Sequence, residues 1–178
     1  MSVNFKENIE EAELEDKLEK FLSKWFNVER QVWSESGNSR IDIVAVHKSD
    51  IKKEYPFGIE VKDTKKKRGL DIALWFLQSI RYTKENFLGY GKCIILICPP
   101  ISGHYFVEGS YVNNHNGCHP HKNVSTFLGH FGIGEVQKCS RYKLKRVIFA
   151  YNSSIFWSSG CDRLNINMIE KRWKKKKE

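Results

Sequence analysis

The sequence predicts an α/β fold in which a central mixed β-sheet is flanked by helices. Segments with helical spacing of apolar residues alternate with short, β-branched apolar segments. Their order along the first half of the chain is helix, three strands, helix, strand, which is typical of layered α/β folds. With 178 residues, the chain has the length of one domain. We expect this domain to span residues 1–165 and a basic tail to follow at 166–178.

The first half of the chain contains the clearest elements. Apolar residues recur at helical intervals in segment 10–26 and predict the first helix. Three strands are then expected, at 27–36, 40–48 and 56–63. Segment 70–87 predicts a long helix that is apolar on more than one face, so we expect it to be well buried. The apolar segment 92–98 predicts a fourth strand, whose two cysteines, Cys93 and Cys98, we expect to lie in the core.

The second half is less regular. Residues 101–123 are expected to form a long irregular loop. The segment "VSTFLGHFGIG" at 124–134 predicts a short helix that ends at its glycines. The segments "KLKRVIFAYN" and "SSIFWSS" predict a final hairpin. The closing segment 164–178 is expected to be a helix or a frayed basic tail.

Charge is distributed unevenly along the chain. Residues 1–60 carry 9 basic and 13 acidic side chains, whereas residues 61–178 carry 21 and 8, and the formal net charge is +9. A strongly basic C-terminal two-thirds is typical of proteins that bind nucleic acid. A solvated basic surface would give the same composition.

The cysteine pattern and the N-terminal sequence indicate the cellular compartment. Five cysteines without CxxC spacing favour a reducing environment over a disulfide framework. The acidic N-terminal segment lacks the apolar stretch of a signal peptide, and no apolar run has the length of a membrane span. We therefore expect a soluble intracellular protein, cytoplasmic or nuclear, without a membrane partner. Its oligomeric state is open, and a homodimer is one possibility.

Two acids and a lysine occupy positions where buried strands usually carry apolar side chains. Asp42 lies in the second predicted strand, and Glu60 and Lys62 lie in the third. Glu60 and Lys62 are two residues apart and share one face of their strand, whereas Val61 points to the other face. A hairpin would bring Asp42 beside Glu60, and a divalent cation would hold both carboxylates ionised. The simpler alternative is a buried ion pair between Lys62 and one of these acids.

The segment "RIDIVAV…FGIEVKD" resembles the core of the PD-(D/E)xK nuclease superfamily. Asp42 matches the metal-binding Asp of that motif, and Glu60, Val61 and Lys62 match its (D/E)xK element. Ile41 replaces the motif's proline. The resemblance covers residues 10–99 and implies a restriction-endonuclease-like core with Mg²⁺- or Mn²⁺-dependent hydrolysis of DNA. Asp42, Glu60 and the Val61 carbonyl would hold the ion, and Lys62 would position the attacking water.

Two helices add candidates through the same resemblance. Many members place a Glu of the first helix at the metal site. Glu11 and Glu15 both qualify, and we prefer Glu15, although both also suit a solvated acid. "QSIRY" resembles the Q-x-x-x-Y element of the RecB-like branch, in which Gln78 would lie beside the active site and Tyr82 would help to bind DNA. The alternative is a core-edge Gln capped by a tyrosine.

A run of basic residues follows the motif directly. These residues would contact phosphates near the scissile bond, although a solvated loop is an equally good interpretation. They are Lys65, Lys66, Lys67 and Arg68. DNA is therefore the expected partner, and the sequence does not distinguish it from RNA.

Three alternatives to a RecB-like nuclease stay open. One is a non-catalytic nucleic-acid-binding module on the same fold, and another is a junction-resolving endonuclease. The third is a zinc-stabilised interaction protein, because "HNGCHPH" clusters residue types that bind zinc. The candidate zinc ligands are His115, Cys118, His119 and His121, completed by His130 or Cys139. An irregular loop is the default interpretation of that segment.

Overall fold

The computed structural model describes residues 10–63, 69–101, 120–139, 146–152 and 154–173. Within these ranges the chain forms seven strands and four helices. In chain order they are α1 (Glu11–Leu22), β1 (Phe26–Trp33), β2 (Arg40–His47), β3 (Phe57–Val61), α2 (Gly69–Tyr82), β4 (Ile94–Cys98), α3 (Pro120–His130), β5 (Ile133–Cys139), β6 (Arg146–Tyr151), β7 (Ser154–Ser158) and α4 (Ile166–Arg172). None of the helices in these ranges is long and apolar enough to cross a membrane.

The strands form one mixed sheet in which spatial order follows chain order, from β1 to β7. The first three strands pair antiparallel, β3, β4 and β5 pair parallel, and the last three pair antiparallel. A parallel pair needs a crossover, and α2 and α3 lie in the two crossovers that the parallel strands require. The α/β class and the mixed sheet predicted from the sequence are therefore confirmed.

Helices cover both faces of the sheet, as the alternation of buried residues in β4 shows. Leu96 of β4 belongs to the large core that also contains Leu18 of α1 and Ile169 of α4. Its neighbour Ile97 packs on the opposite face with Leu128 of α3. Successive strand residues point to opposite faces, so α1 and α4 lie on one side and α3 on the other. The partly buried α2 side chains that pack with Ile97 place α2 on the α3 side.

Both helices of the first half end earlier than their apolar patterns predict. Helix α1 ends at Leu22, and the Ser23 hydroxyl donates a hydrogen bond of 2.7 Å to the Glu19 carbonyl in its last turn. The chain then turns so that Phe26 starts β1. Helix α2 ends at Tyr82, and Phe87 forms isolated bridges with Ser34 and Gly91 instead of extending the helix.

The expectation that α2 is well buried is wrong in part. Trp75 and Tyr82 are buried against the sheet, but Leu74 is 55% exposed and Leu77 is 60% exposed. A helix on the outside of a sheet buries one stripe of side chains. The second apolar stripe of α2 is not covered by any other part of the chain that the structure describes.

The second half differs most from expectation, because β5 was not predicted. The segment "GIG" at 132–134, predicted as a helix end, instead contains the turn residue Gly132 and the first two residues of β5. Gly132 has a φ of +82° and makes the turn into β5. A Cβ on Gly134 would lie 2.6 Å from the Ala150 carbonyl oxygen, so this glycine allows its strand to pack closely against β6.

The predicted final hairpin is confirmed, since β6 and β7 pair antiparallel. The closing segment, expected as a helix or a frayed basic tail, contains the helix α4. Ile169 of α4 is fully buried in the large core, and Trp173 is 8% exposed. Residues 174–178 lie outside the described residues. The buried cysteines Cys93 and Cys98 agree with the core positions predicted for them.

Candidate metal centre

The candidate site lies at one edge of the sheet, where β2 runs between β1 and β3. Ile43 pairs with Ile59, so the next antiparallel pair in this register is Asp42 and Glu60. The β1–β2 register likewise places Gln31 opposite Asp42. Asp42 is therefore the central residue of the site, with one strand neighbour on each side.

Helix α1 adds two carboxylates to Asp42. Glu11 and Glu15 are four residues apart, so they lie on the same face of the helix. One carboxylate oxygen from each of Glu11, Glu15 and Asp42 lies within 4.8 Å of the other two. Leu14 and Leu18 are fully buried and hold this part of α1 against the sheet. The sequence offered Glu11 and Glu15 as alternatives, and the structure brings both of them to Asp42.

The Asp42 carboxylate is fixed by the backbone of the next strand. Its Oδ2 accepts a hydrogen bond of 2.7 Å from the Val61 N–H. Burial raises the pKa of Asp42, the Val61 N–H opposes this, and the nearby Glu15 charge raises the pKa further. A carboxylate in this position is stabilised in its ionised form when a cation binds beside it.

Glu60 is 1% exposed and contacts the ammonium of Lys62 through its Oε1. Its carboxyl also forms a side-chain hydrogen bond with Asp42, in which the protonated Glu60 is the donor and the Asp42 carboxylate the acceptor. Burial raises the pKa of Glu60 to about 8, with a further increase from the Asp42 charge and an opposing effect of Lys62. Glu60 is not one of the three clustered carboxylates. Its role as a metal ligand stays a prediction.

Lys62 directly follows the last residue of β3, and its backbone N–H donates to the Cys98 carbonyl at 2.7 Å. Burial lowers the pKa of Lys62, but the charges of Glu60, Glu11 and Asp42 outweigh this, and the pKa lies above its ordinary value. Lys62 is therefore protonated at neutral pH. The intervening Val61 side chain is fully buried in the large core, as its alternation predicted.

Two residues of β1 that the sequence reasoning missed hold Glu15 in place. Arg30 Nη2 donates to Glu15 Oε2 at 2.7 Å, and Gln31 Nε2 donates to the same oxygen at 3.0 Å. Arg30 also pairs with Asp16, the next residue of α1, and with Glu19, one turn further along the helix. The sequence carried one signal for this contact: two polar residues, Arg30 and Gln31, are adjacent inside a predicted strand. Adjacent strand residues point to opposite faces of the sheet. One of the two must therefore face a helix or the sheet core.

The predicted Gln–Tyr pair of α2 lies beside the same edge. Gln78 Nε2 donates to the Tyr82 hydroxyl at 2.6 Å, and this hydroxyl donates to the Arg40 carbonyl at 2.8 Å. Burial, followed by the Glu60 charge, raises the pKa of Tyr82. The pair therefore ties α2 to β2 two residues before Asp42. Because the hydroxyl already has a backbone partner, a role for Tyr82 in binding DNA stays a prediction.

Two predicted groups fall outside what the structure describes. The basic run Lys65 to Arg68 lies outside the described residues, as do His115, Cys118 and His119 of the zinc hypothesis. The side chains of His121 and Cys139 are likewise not described. His130 is described and exposed at the end of α3.

The donor set of the site fits a hard divalent cation. Mg²⁺ and Mn²⁺ prefer oxygen ligands, and Mg²⁺ binds through one or two carboxylates together with waters and substrate phosphate. The three clustered carboxylates and the neighbouring Glu60 carboxyl provide such oxygens. No family model, curated protein or solved structure matches the chain.

Proposed function

We propose that the protein is a Mg²⁺- or Mn²⁺-dependent nuclease that hydrolyses phosphodiester bonds of DNA. One observation carries the proposal: the carboxylate cluster of Glu11, Glu15 and Asp42 lies at the same sheet edge as the contacting pair Glu60 and Lys62. A metal-binding acid cluster next to a buried, protonated lysine suits the hydrolysis of a phosphate ester.

We further propose a restriction-endonuclease-like core of the PD-(D/E)xK type. The antiparallel β1–β2–β3 unit is followed by a helical crossover to a parallel strand β4, and α1 precedes the unit. This is the element order that the resemblance implies for the core. The hydrogen-bonded pair Gln78 and Tyr82 supports the RecB-like branch.

Asp42 is the residue best placed to hold the cation, together with Glu15 or Glu11 from α1. Glu60 and the Val61 carbonyl are the remaining proposed ligands. A bound divalent cation would neutralise charge on the scissile phosphate and lower the pKa of a coordinated water. Arg30 and Gln31 hold the Glu15 carboxylate in a fixed orientation, which keeps it from turning to solvent.

The protonation state of Lys62 defines its role in this mechanism. Its pKa lies above the ordinary value, so in the proposed mechanism Lys62 acts as a protonated hydrogen-bond donor and not as a general base. A protonated ammonium can donate hydrogen bonds to the attacking water and to a phosphate oxygen. Lys62 therefore orients the nucleophile and stabilises the charge that develops on the phosphate.

The direct test is a cleavage screen on labelled single-stranded, duplex and branched DNA, with Mg²⁺, Mn²⁺ or EDTA. We expect cleavage with either metal ion and none with EDTA, and loss of cleavage in Asp42→Asn. Cleavage confined to branched DNA would assign the protein to junction-resolving endonucleases, and a parallel RNA series would test RNA as substrate. Binding without cleavage of any substrate would favour the non-catalytic module and would contradict the nuclease assignment.

Neutralising the basic run is expected to weaken DNA binding in a salt-dependent manner. The triple variant Lys65→Gln, Lys66→Gln, Lys67→Gln removes three charges that follow the motif in sequence. Each lost phosphate contact lowers the slope of log K against log salt by about one unit. The measurement is DNA affinity by fluorescence anisotropy over a range of salt concentrations.

A matched triple variant, Lys48→Gln, Lys52→Gln, Lys53→Gln, removes the same charge from the loop between β2 and β3. These lysines are exposed and follow the end of β2 that is distant from Asp42. We expect a smaller change of slope in this control. Equal slopes in both triple variants would show that the basic run acts only through the net charge of the protein.

A further inference from the structure

Gln31 has an unusual backbone conformation for a residue inside a strand. Its φ is +54°, in the left-handed region that non-glycine residues rarely adopt. The neighbouring pairs Arg30–Ile43 and Val32–Ile41 stay in register, so the strand passes through this residue without inserting an extra one. Such a conformation costs about 1 kcal/mol or more and recurs at functional sites.

The side chain of Gln31 points into the carboxylate cluster. Its Nε2 lies 3.0 Å from Glu15 Oε2 and 3.5 Å from Asp42 Oδ1. Its Oε1 is buried and has no hydrogen-bond partner in the part of the chain that the structure describes. A buried amide oxygen without a partner is rare, because it loses its hydration and gains nothing in return. This atom therefore calls for a ligand.

The distances around the amide are those between neighbouring ligands of one cation. Mg²⁺ binds oxygens at about 2.0–2.1 Å in an octahedron, which separates adjacent ligand oxygens by about 3 Å. Ca²⁺ binds at about 2.3–2.6 Å, and the corresponding separation is about 3.5 Å. The Gln31 amide nitrogen lies at such distances from Glu15 and Asp42. Turning the carboxamide over exchanges the positions of its oxygen and nitrogen.

We propose that Gln31 is a ligand of the metal centre, and that its carboxamide turns over when a cation binds. Without the cation, the amide N–H groups bridge Glu15 and Asp42 and reduce their repulsion. With the cation, Oε1 takes that position and becomes an oxygen ligand beside the two carboxylates. The left-handed backbone directs the amide at the cluster. The inference rests on the proposed function only in requiring a divalent cation at Asp42.

The test is the affinity of the full-length protein for Mn²⁺, measured by isothermal titration calorimetry without DNA. Gln31→Gly removes the amide and remains foldable, because glycine adopts this φ without strain. We expect its Kd for Mn²⁺ to rise about 10- to 100-fold, as typical for the loss of a group that supports a metal site. Lys53→Gly is the matched control, since Lys53 has a φ of +53° in an exposed turn. Its Kd should equal that of the wild type.

Gln31→Glu separates the oxygen from the amide N–H. Glutamate keeps an oxygen donor on a side chain of the same length but donates no hydrogen bond when ionised. We expect it to bind Mn²⁺ at least as tightly as the wild type. A Gln31→Gly protein with wild-type affinity, or a Gln31→Glu protein as weak as Gln31→Gly, would overturn the ligand assignment alone. Mn²⁺ binding that is absent from the wild type, or unchanged in Asp42→Asn, would overturn the proposed metal centre itself.

Discussion

Replacing Lys62 by alanine is expected to lower the rate of DNA cleavage by on the order of 10²-fold or more. In the proposed mechanism, Lys62 acts mainly in the transition state, where it would orient the attacking water and stabilise the charge developing on the phosphate. Removing such a group lowers turnover and leaves substrate binding nearly intact. The measurement is single-turnover cleavage with Mg²⁺, together with DNA affinity by anisotropy in EDTA.

The structure requires a stability control for this variant. Lys62 contacts the buried Glu60, so alanine leaves Glu60 without its cationic partner. If the pair is mainly structural, its loss destabilises the fold by several kcal/mol, and thermal unfolding will reveal this. Lys20→Ala removes an exposed lysine from the last turn of α1 and should keep both wild-type rate and stability.

Asp42→Asn should fail in a different way. We expect it to weaken cation binding at the proposed site, so a higher Mn²⁺ concentration should restore part of its activity, whereas the same addition should not rescue Lys62→Ala. A folded Lys62→Ala protein that binds DNA and cleaves at the wild-type rate would refute the catalytic role. A variant that unfolds would favour the buried ion pair as the reason for this lysine.

The sequence correctly predicted those elements whose local apolar pattern favours the same secondary structure as the tertiary packing requires. The β-branched segment around Asp42 and the segment around Glu60 are strands, and their hairpin register brings the two acids together. Strand β5 was missed because its glycines, which resemble a helix end, are needed for close packing against β6. That requirement comes from a strand that follows later in the chain, and no local pattern encodes it.

The residue types of the candidate site could be predicted from the sequence. The contacts between these residues could not. The sequence made Glu11 and Glu15 alternative candidates with a preference for Glu15, because the distance of each from Asp42 depends on how α1 packs on the sheet. The left-handed conformation of Gln31 could not be predicted from its residue type, because glutamine rarely adopts this conformation. The contact of Arg30 with Glu15 depends on the same packing. Such contacts are set by tertiary structure.

Glu60→Gln is expected to change how stability depends on pH. In the folded protein, burial and the Asp42 charge raise the pKa of Glu60 from 4.5 to about 8. Between these two values the unfolded chain has already released this proton and the folded protein still holds it. Stability therefore falls as pH rises through this range, because unfolding releases the proton that the folded protein still holds on Glu60. Glutamine cannot ionise, so the variant lacks this decrease.

The measurement is chemical unfolding in EDTA at intervals from pH 5 to pH 9, for the wild type and Glu60→Gln. The stability of the variant relative to the wild type should increase with pH and reach its largest value above pH 8. Glu54→Gln removes an exposed carboxylate and the same unit of charge, so its curve should run parallel to that of the wild type. Adding Mg²⁺ to the wild type should reduce the decrease, because a bound cation stabilises ionised Glu60. A stability curve of Glu60→Gln that runs parallel to the wild-type curve would contradict this prediction. It would mean that Lys62 keeps Glu60 ionised over the whole pH range and that the two residues form a permanent ion pair.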